Sequence, residues 1–427
     1  MDAQEPARGA DVGRGFAASL LANVSSLAED MQMYIVERIP EVGGDAELRG
    51  LTLGSCSSNL EAVLSMFRHG IDVAAAQAPV TALEHARAMA SRGHSVDVML
   101  RFYRLGHEYF TEKLSDWLSD RIDDPAAALR TFVDLERYGF RYIDRISSLV
   151  AAEYVAELDR RQNQARAERD DVVRALLASE RVDLARAERV LSHRLTGRQI
   201  GFVCWAADRG VDLEGVARQV GRHLGVSHSL VVAEGPLAVW GWASITGDVR
   251  TSLTDLATEF PGERKNVHIA VGSPHPGAAG FRTSHLEALR ARRVIELSGR
   301  TAPSVTEFSD VALVDAISRD MDAARAFVAA QLGDLARDDA KERSERATLL
   351  AVLDAQGSLT TAARTLGIHK NTVLQRVHRA EERMGRPTTS KVAELHAALL
   401  VLRRLGGIGV AGVIASLSRA LAGFTNS

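Results

Sequence analysis

Residues 357–386 read GSLTTAARTLGIHKNTVLQRVHRAEERMGR. Gly357 suits the left-handed stop of a helix over Arg346–Asp354. Ser358 carries a hydroxyl that can accept from the free N–H groups of the next helix, Leu359–Leu366. Gly367-Ile368 makes a tight turn, and a further helix runs from His369 or Lys370 to Met384, where Gly385 and Pro387 stop it. Ala362 and Ala363 are small enough for two helices to cross closely. Helix, helix, sharp glycine turn, helix is the pattern of a helix-turn-helix.

The last of these helices sorts its residues by angle, at roughly 100° per residue. Val373, Leu374, Val377, Ala380 and Met384, with the stem of Lys370, share a packing side. Asn371, Thr372, Gln375, Arg376 and Arg379 project outward. That set fits work in a DNA groove. Arg and Lys reach phosphates and guanine edges, Asn and Gln pair bidentately with adenine, and Thr binds phosphate or a thymine methyl. The positive helix N-terminus, at His369 and Lys370, suits a phosphate. The expected DNA contacts are therefore His369, Lys370, Asn371, Thr372, Gln375, Arg376 and Arg379, with Gly367 at the turn. The plainer alternative is that an exposed helix face is simply polar.

Charge segregates along the 427 residues. The total is −3, which taken alone argues against nucleic acid. Residues 341–427, however, hold 13 Lys and Arg against six Asp and Glu, a net +7 that leaves −10 on the preceding 340. An acidic body carries a basic tail. Two cysteines, Cys56 and Cys204, are too few for a disulfide framework and too far apart for a CxxC pair, so a reducing compartment is expected. No secretory signal is visible at the start. Leu405–Phe424 has the length of a membrane span, but its glycines, serines and Arg419 favour a Gly-led terminal helix or tail over residues 406–427.

Working back from the tail, residues 15–150 show helical spacing throughout. It is broken at Pro40–Asp45, Gly70–Asp72, Pro79, Arg92–Ser95 and Asp123–Pro125, as in an all-α domain. From Thr131 to Ser192 a long helix is expected. Its stripe Phe140, Ile143, Ile146, Val150, Tyr154 and Leu158 suits either a partner helix in a dimer or an intrachain bundle that continues as a solvated connector over 151–192. Residues 193–335 turn β-rich, with strands at Ile200–Trp205, Ser229–Ala233, Ala238–Ala243 and Val267–Val271. Helices over 212–224, 248–259 and 284–296 complete a β-α-β-β-α-β order, which predicts an α+β sheet with helices on one face. Val305–Phe308 and Leu313–Leu335 lead out to the DNA-binding domain at 341–405.

The tail resembles the C-terminal helix-turn-helix of PucR/CdaR-type bacterial transcription regulators. That family's Leu-x-[Val/Ile]-His-[Arg/Lys]-Asn-Thr-Val stands here as Leu366–Val373, with Met384-Gly385 at the stop. Residues 196–300, especially HIAVGSPHPGAAGFRTSHLEALRARRV, resemble the GGDEF-like middle domain of the same regulators. Residues 20–150, through IVERIPEVGGD, FRHGIDV and ALEHARAMASRGHSVDVMLRFYRLGH, resemble the all-α N-terminal domain of RsbR-type stress co-antagonists. The resemblance implies a multidomain, mainly α protein with one α+β domain. It further implies a cytoplasmic regulator that binds double-stranded DNA as a homodimer or higher oligomer and answers to an unidentified small-molecule effector.

Other chemistry is poorly supported by the residues. A diguanylate cyclase needs carboxylates for two metal ions and a Gly-Gly turn, but the corresponding hairpin reads Ala233-Glu234-Gly235-Pro236-Leu237, and Asp208 is a lone carboxylate. His94, His107, His275 and His285 lack the spacing of a metal site, and Gly272–Gly280 lacks the Lys-Ser/Thr of a phosphate loop. No cofactor, metal or catalytic residue is expected. Trp240 and Trp242 point to one sheet face, as core or as a ligand platform; Tyr103, Arg104 and His107 line a sensing cavity or serve helix packing. The competing reading of the whole is an interaction scaffold of a stress-signalling complex, which would carry a STAS-type domain after residue 150.

Overall fold

The computed structural model describes residues 5–246, 267–298 and 304–406. It is helical at the N-terminus, α+β in the middle and helical again at the C-terminus, and it divides into two units, Met1–Ala167 and Glu168–Ser427.

The first unit is a helical bundle. Its elements are α1 (Glu5–Leu21), α2 (Val24–Arg38), the short α3 (Pro40–Gly43), α4 (Ala46–Arg68), α5 (Val80–Ser91), α6 (Val96–Ser119) and the start of α7 (Pro125–Leu177). Local chemistry sets the boundaries. Asp45 caps α4 by accepting from Leu48 N–H, and Ser95 caps α6 by accepting from Val98 N–H. Asp45 and Glu47 both pair with Arg92, just past the end of α5, which ties the two helix ends together. The stretch of α7 from Tyr138 to Tyr154 closes the bundle: Tyr138 and Tyr154 donate to the carbonyls of Ile71 and His94, and Arg145 to that of Ala76.

The stripe expected along α7 is used inside this bundle. Ile146, Val150 and Tyr154 are buried with Leu135 and Tyr142, and Ile143 and Leu158 pack against the same core. Phe140 departs from it and is 60% exposed. Residues 159–169 are exposed on every side. The helix expected to reach Ser192 ends at Leu177. Ser179 turns to φ 60, and Asp183 caps the separate α8 (Leu184–Leu191).

In the second unit the sheet runs β2 (Leu230–Gly235), β3 (Ala238–Ile245), β1 (Arg198–Ala206), β4 (Val267–Val271) and β6 (Val305–Glu307), with β5 (His275–Pro276) also against β1. The β4–β6 pairing is parallel and the others antiparallel. The expectation of helices on one face is wrong. Alternation along β1 sends Ile200, Phe202 and Cys204 toward α9 (Leu213–His223), and Val203 and Trp205 toward the opposite face. That second face carries α10 (Gly277–Ser298). A Cβ at Gly201 would sit 2.7 Å from the backbone N of His285, so glycine admits α10 directly onto β1.

The helix expected from residue 284 therefore begins seven residues earlier, and the second half of GSPHPGAAG is its first turn. The helix expected over 248–259 lies outside the described residues. Trp240 and Trp242 do share one face, against α10. Trp242 stacks on Phe281 with ring centroids 4.3 Å apart and donates its Nε1–H to the Phe281 carbonyl. Both indoles meet the buried His285, which makes this pair a packing element.

The segment that leads out of the sheet domain forms two helices, α11 (Phe308–Ile317) and α12 (Met321–Leu332), separated where Asp320 caps the second. Arg293 of α10 closes the end of α11 through Asp315 and the Ser318 carbonyl, each at 3.0 Å. Among the described residues no helix is long and apolar enough to cross a membrane. Leu405–Phe424 falls, beyond Gly406, outside them.

Candidate nucleic-acid interface

Four helices build the C-terminal region: α13 (Ala340–Asp354), α14 (Leu359–Leu366), α15 (Lys370–Met384) and α16 (Val392–Leu405). The joints follow the sequence. Gly357 takes φ 86, and Ser358 accepts from Thr361 N–H at the head of α14. Gly367 takes φ 63, and Ile368 N–H returns to the Ala363 carbonyl at 3.1 Å, closing α14 with a left-handed cap. Gly385 ends α15 the same way. Ala362, Ala363 and Ala380 are buried where the helices cross, with Val373 and Val377.

α13 starts at Ala340, six residues before the expected Arg346. The added turns hold Glu342 and Glu345, both buried, and each pairs with Arg383 of α15; Arg383 Nε lies 2.9 Å from Glu345. Arg346 donates to the carbonyls of Leu335 and Arg337, and burial lowers its pKa. Arg386 donates to Gln331 of α12 at 3.0 Å. Glu381 accepts from the backbone N–H and hydroxyl of Thr388, and the backbone bond is the main reason its carboxyl sits below the ordinary value. Part of the tail's basic charge is thus structural. It anchors α15 to the rest of the unit.

His369, Lys370, Asn371, Gln375 and Arg379 are exposed along one side of α15, and Thr372 is half-buried beside them. His369 is also the helix cap. Its Nδ1 accepts from Asn371 N–H at 3.2 Å, which leaves the neutral ring's proton on Nε2. Two residues stand differently from expectation. Leu374, expected to pack inward, is 41% exposed. Arg376, expected to project outward, is half-buried, and its Nη1 reaches Thr348 of α13 at 3.3 Å. Both lie near the edge of the packing side, where the angular rule discriminates least. His378, one turn beyond Leu374 on α15, is exposed as well. It did not stand out in sequence, since only its exposure beside the outward residues marks it.

Residues 346–401 match the model of the PucR C-terminal helix-turn-helix domain. Residues 25–169 match that of the RsbT co-antagonist protein rsbRD N-terminal domain, and residues 175–294 that of the GGDEF-like domain. The chain has the domain architecture of a PucR/CdaR-type regulator. A GGDEF-like domain, not a STAS-type one, follows the N-terminal bundle. In this chain the hairpin expected to carry the cyclase motif has Pro236-Leu237 between β2 and β3, and Glu234 is ion-paired to Arg292 at 2.6 Å.

Among solved structures, the regulator of polyketide synthase expression from Bifidobacterium adolescentis matches at 20% identity. The match covers 54% of this chain and 91% of that one, with a TM-score of 0.27. No curated protein matches the chain in sequence.

Proposed function

We propose that this chain is a DNA-binding transcriptional regulator in which α15 reads base edges in the major groove of an operator. It works in the cytoplasm as a homodimer, under the control of its N-terminal unit. The observation that carries the reading is the outward face of α15, where two cations, two amides and a capping histidine stand together at and just beyond a helix N-terminus.

Within this reading Lys370 and Arg379 bind phosphate or guanine, and Asn371 and Gln375 pair with adenine. His369 Nε2–H and Thr372 contact the backbone. Leu374 lies where it can meet a thymine methyl. Arg376, held by Thr348, takes part less directly and fixes the pitch of α15 against α13. A two-fold pair of such helices, about one DNA turn apart, reads two half-sites, and the spacing is what a sensor can change. Leu129, Val133 and Phe140 are exposed on one side of α7 and favour contact with a second copy.

Footprinting on the DNA upstream of the protein's own gene tests the proposal. Protection of two half-sites about one turn apart is expected. Absence of protection on any fragment of that region, at salt low enough to retain phosphate contacts, would overturn it.

A further inference from the structure

The first unit holds a partly open cavity of about 70 Å³, walled by α2, α4, α5, α6 and α7. Its lining is largely apolar, from Met31, Ile35 and Leu60 to Phe102, Phe110 and Ile143. The polar groups of the wall are, with one exception, already paired. Thr52 donates to the Leu48 carbonyl at 2.8 Å, so at the 3.2 Å contact with His85 it is His85 Nε2 that donates. Asn59 donates to Ser55 and accepts from Tyr142. His107 pairs with Glu136 at 2.8 Å.

The exception is Tyr103. Its side chain is buried, and its hydroxyl lies near the Ser55 side chain but makes no well-formed hydrogen bond among the described residues. A buried O–H left unmatched is costly, and an acceptor entering the cavity would relieve it. Arg104, grouped with Tyr103 by sequence, is exposed and pairs with Asp97 instead.

Two glycines in the middle of helices border the same space, Gly106 on α6 and Gly139 on α7. A Cβ at either would meet nothing closer than 3.7 Å, so close packing does not demand glycine there. Helix propensity disfavours glycine at both positions, and the effect of keeping them is open volume. The lining also excludes ions. Burial holds His85 neutral, with a pKa lowered to about 4, and pushes the Cys56 thiol up to about 12. A charged guest would lose its hydration with no counter-charge in return.

We infer that this cavity is a binding site for a small, neutral, mainly apolar molecule bearing one hydrogen-bond acceptor, which receives the Tyr103 hydroxyl. About 70 Å³ is roughly half of the ~150 Å³ that holds benzene in an engineered cavity, so the guest has about three to five non-hydrogen atoms. Rotation of the flexible Met31 gives the larger ones room. Gly139, Tyr142 and Ile143 belong to α7, so the guest touches the helix that continues to Leu177. The inference deepens the sensor part of the proposed function and rests on that reading only for its consequence. Binding itself is measured without DNA, so failure here and failure of operator binding are separate results.

The test uses the full chain with 2-butanone as the acceptor-bearing probe and xenon as the purely apolar one. Methyl NMR of Met31, Ile35 and Ile143 reads both. Both probes are expected to shift these resonances. Tyr103→Phe should weaken 2-butanone at least fivefold and leave xenon unchanged. Gly106→Leu, or Gly139→Leu should the first fail to fold, should abolish both. Methyl resonances unmoved by 2-butanone, equal 2-butanone affinity in Tyr103→Phe, or binding that survives the leucine variants would each overturn the assignment.

Discussion

Arg383 reaches from α15 to two carboxylates on α13 that are nearly shut off from water, Glu342 at 5% and Glu345 at 1% exposure. Removing it strands both charges. Arg383→Ala should cost about 3–5 kcal/mol in urea unfolding of the second unit; a loss under about 1 kcal/mol would show that this pair does not hold α15 in place. A second residue-scale effect depends on pH. Burial depresses His85 in the first unit and His285 in the second from 6.5 to about 4. Between those values the unfolded chain takes up protons that the native imidazoles refuse. The stability from burying neutral rings is therefore whole above pH 6.5 and lost as pH falls toward 4, at about 1.4 kcal/mol per pH unit for each histidine. Denaturation at stepped pH should show this slope, and His85→Gln should reduce it in the first unit alone. None of this was visible in sequence. Glu342, Glu345, His85 and His285 sit in ordinary polar or helical contexts, and only the tertiary packing that buries them changes their chemistry.

Elements were most legible where their ends are set by local chemistry. Ser358, Gly367 and Gly385 fix α14 and α15 through a cap and two left-handed glycines, and those boundaries fall where the sequence placed them. Gly367→Ala puts a Cβ on a φ of 63 and should cost about 1–2 kcal/mol. Thermal unfolding checks this, and an unchanged midpoint would mean that the turn does not depend on glycine. Elements fixed by distant partners were less legible. α10 starts at Gly277, whose N–H reaches the Gly197 carbonyl just before β1, and nothing within GSPHPGAAG announces a helix. Helices cover both sheet faces because β1 is apolar on both, and an uninterrupted apolar run does not reveal which side a given helix takes. On α15 the centre of the outward face, Asn371, Gln375 and Arg379, was legible. Its edges, Leu374 and Arg376, were not, since their burial depends on where α13 crosses.

At the scale of the molecule, the buried core of the C-terminal helices is continuous with that of the middle domain. Leu349, Val373 and Leu395 belong to one cluster with Val203, Ala288 and Val328. α15 is therefore carried rigidly on the sheet domain and does not hang from a linker. The charge asymmetry acts on this body. A basic tail on an acidic protein biases encounters with a duplex toward the end that presents α15. The near-neutral total of −3 hides this, and only the division at residue 341 exposes it. The central claim is that the exposed cations of α15 contact DNA phosphates. It is tested most directly by the salt dependence of operator affinity for the full chain and for Arg379→Ala. The account predicts weaker binding for the variant, with a log–log salt slope flatter by about one unit for the lost phosphate contact. Equal affinity and an equal slope in the two proteins would contradict it.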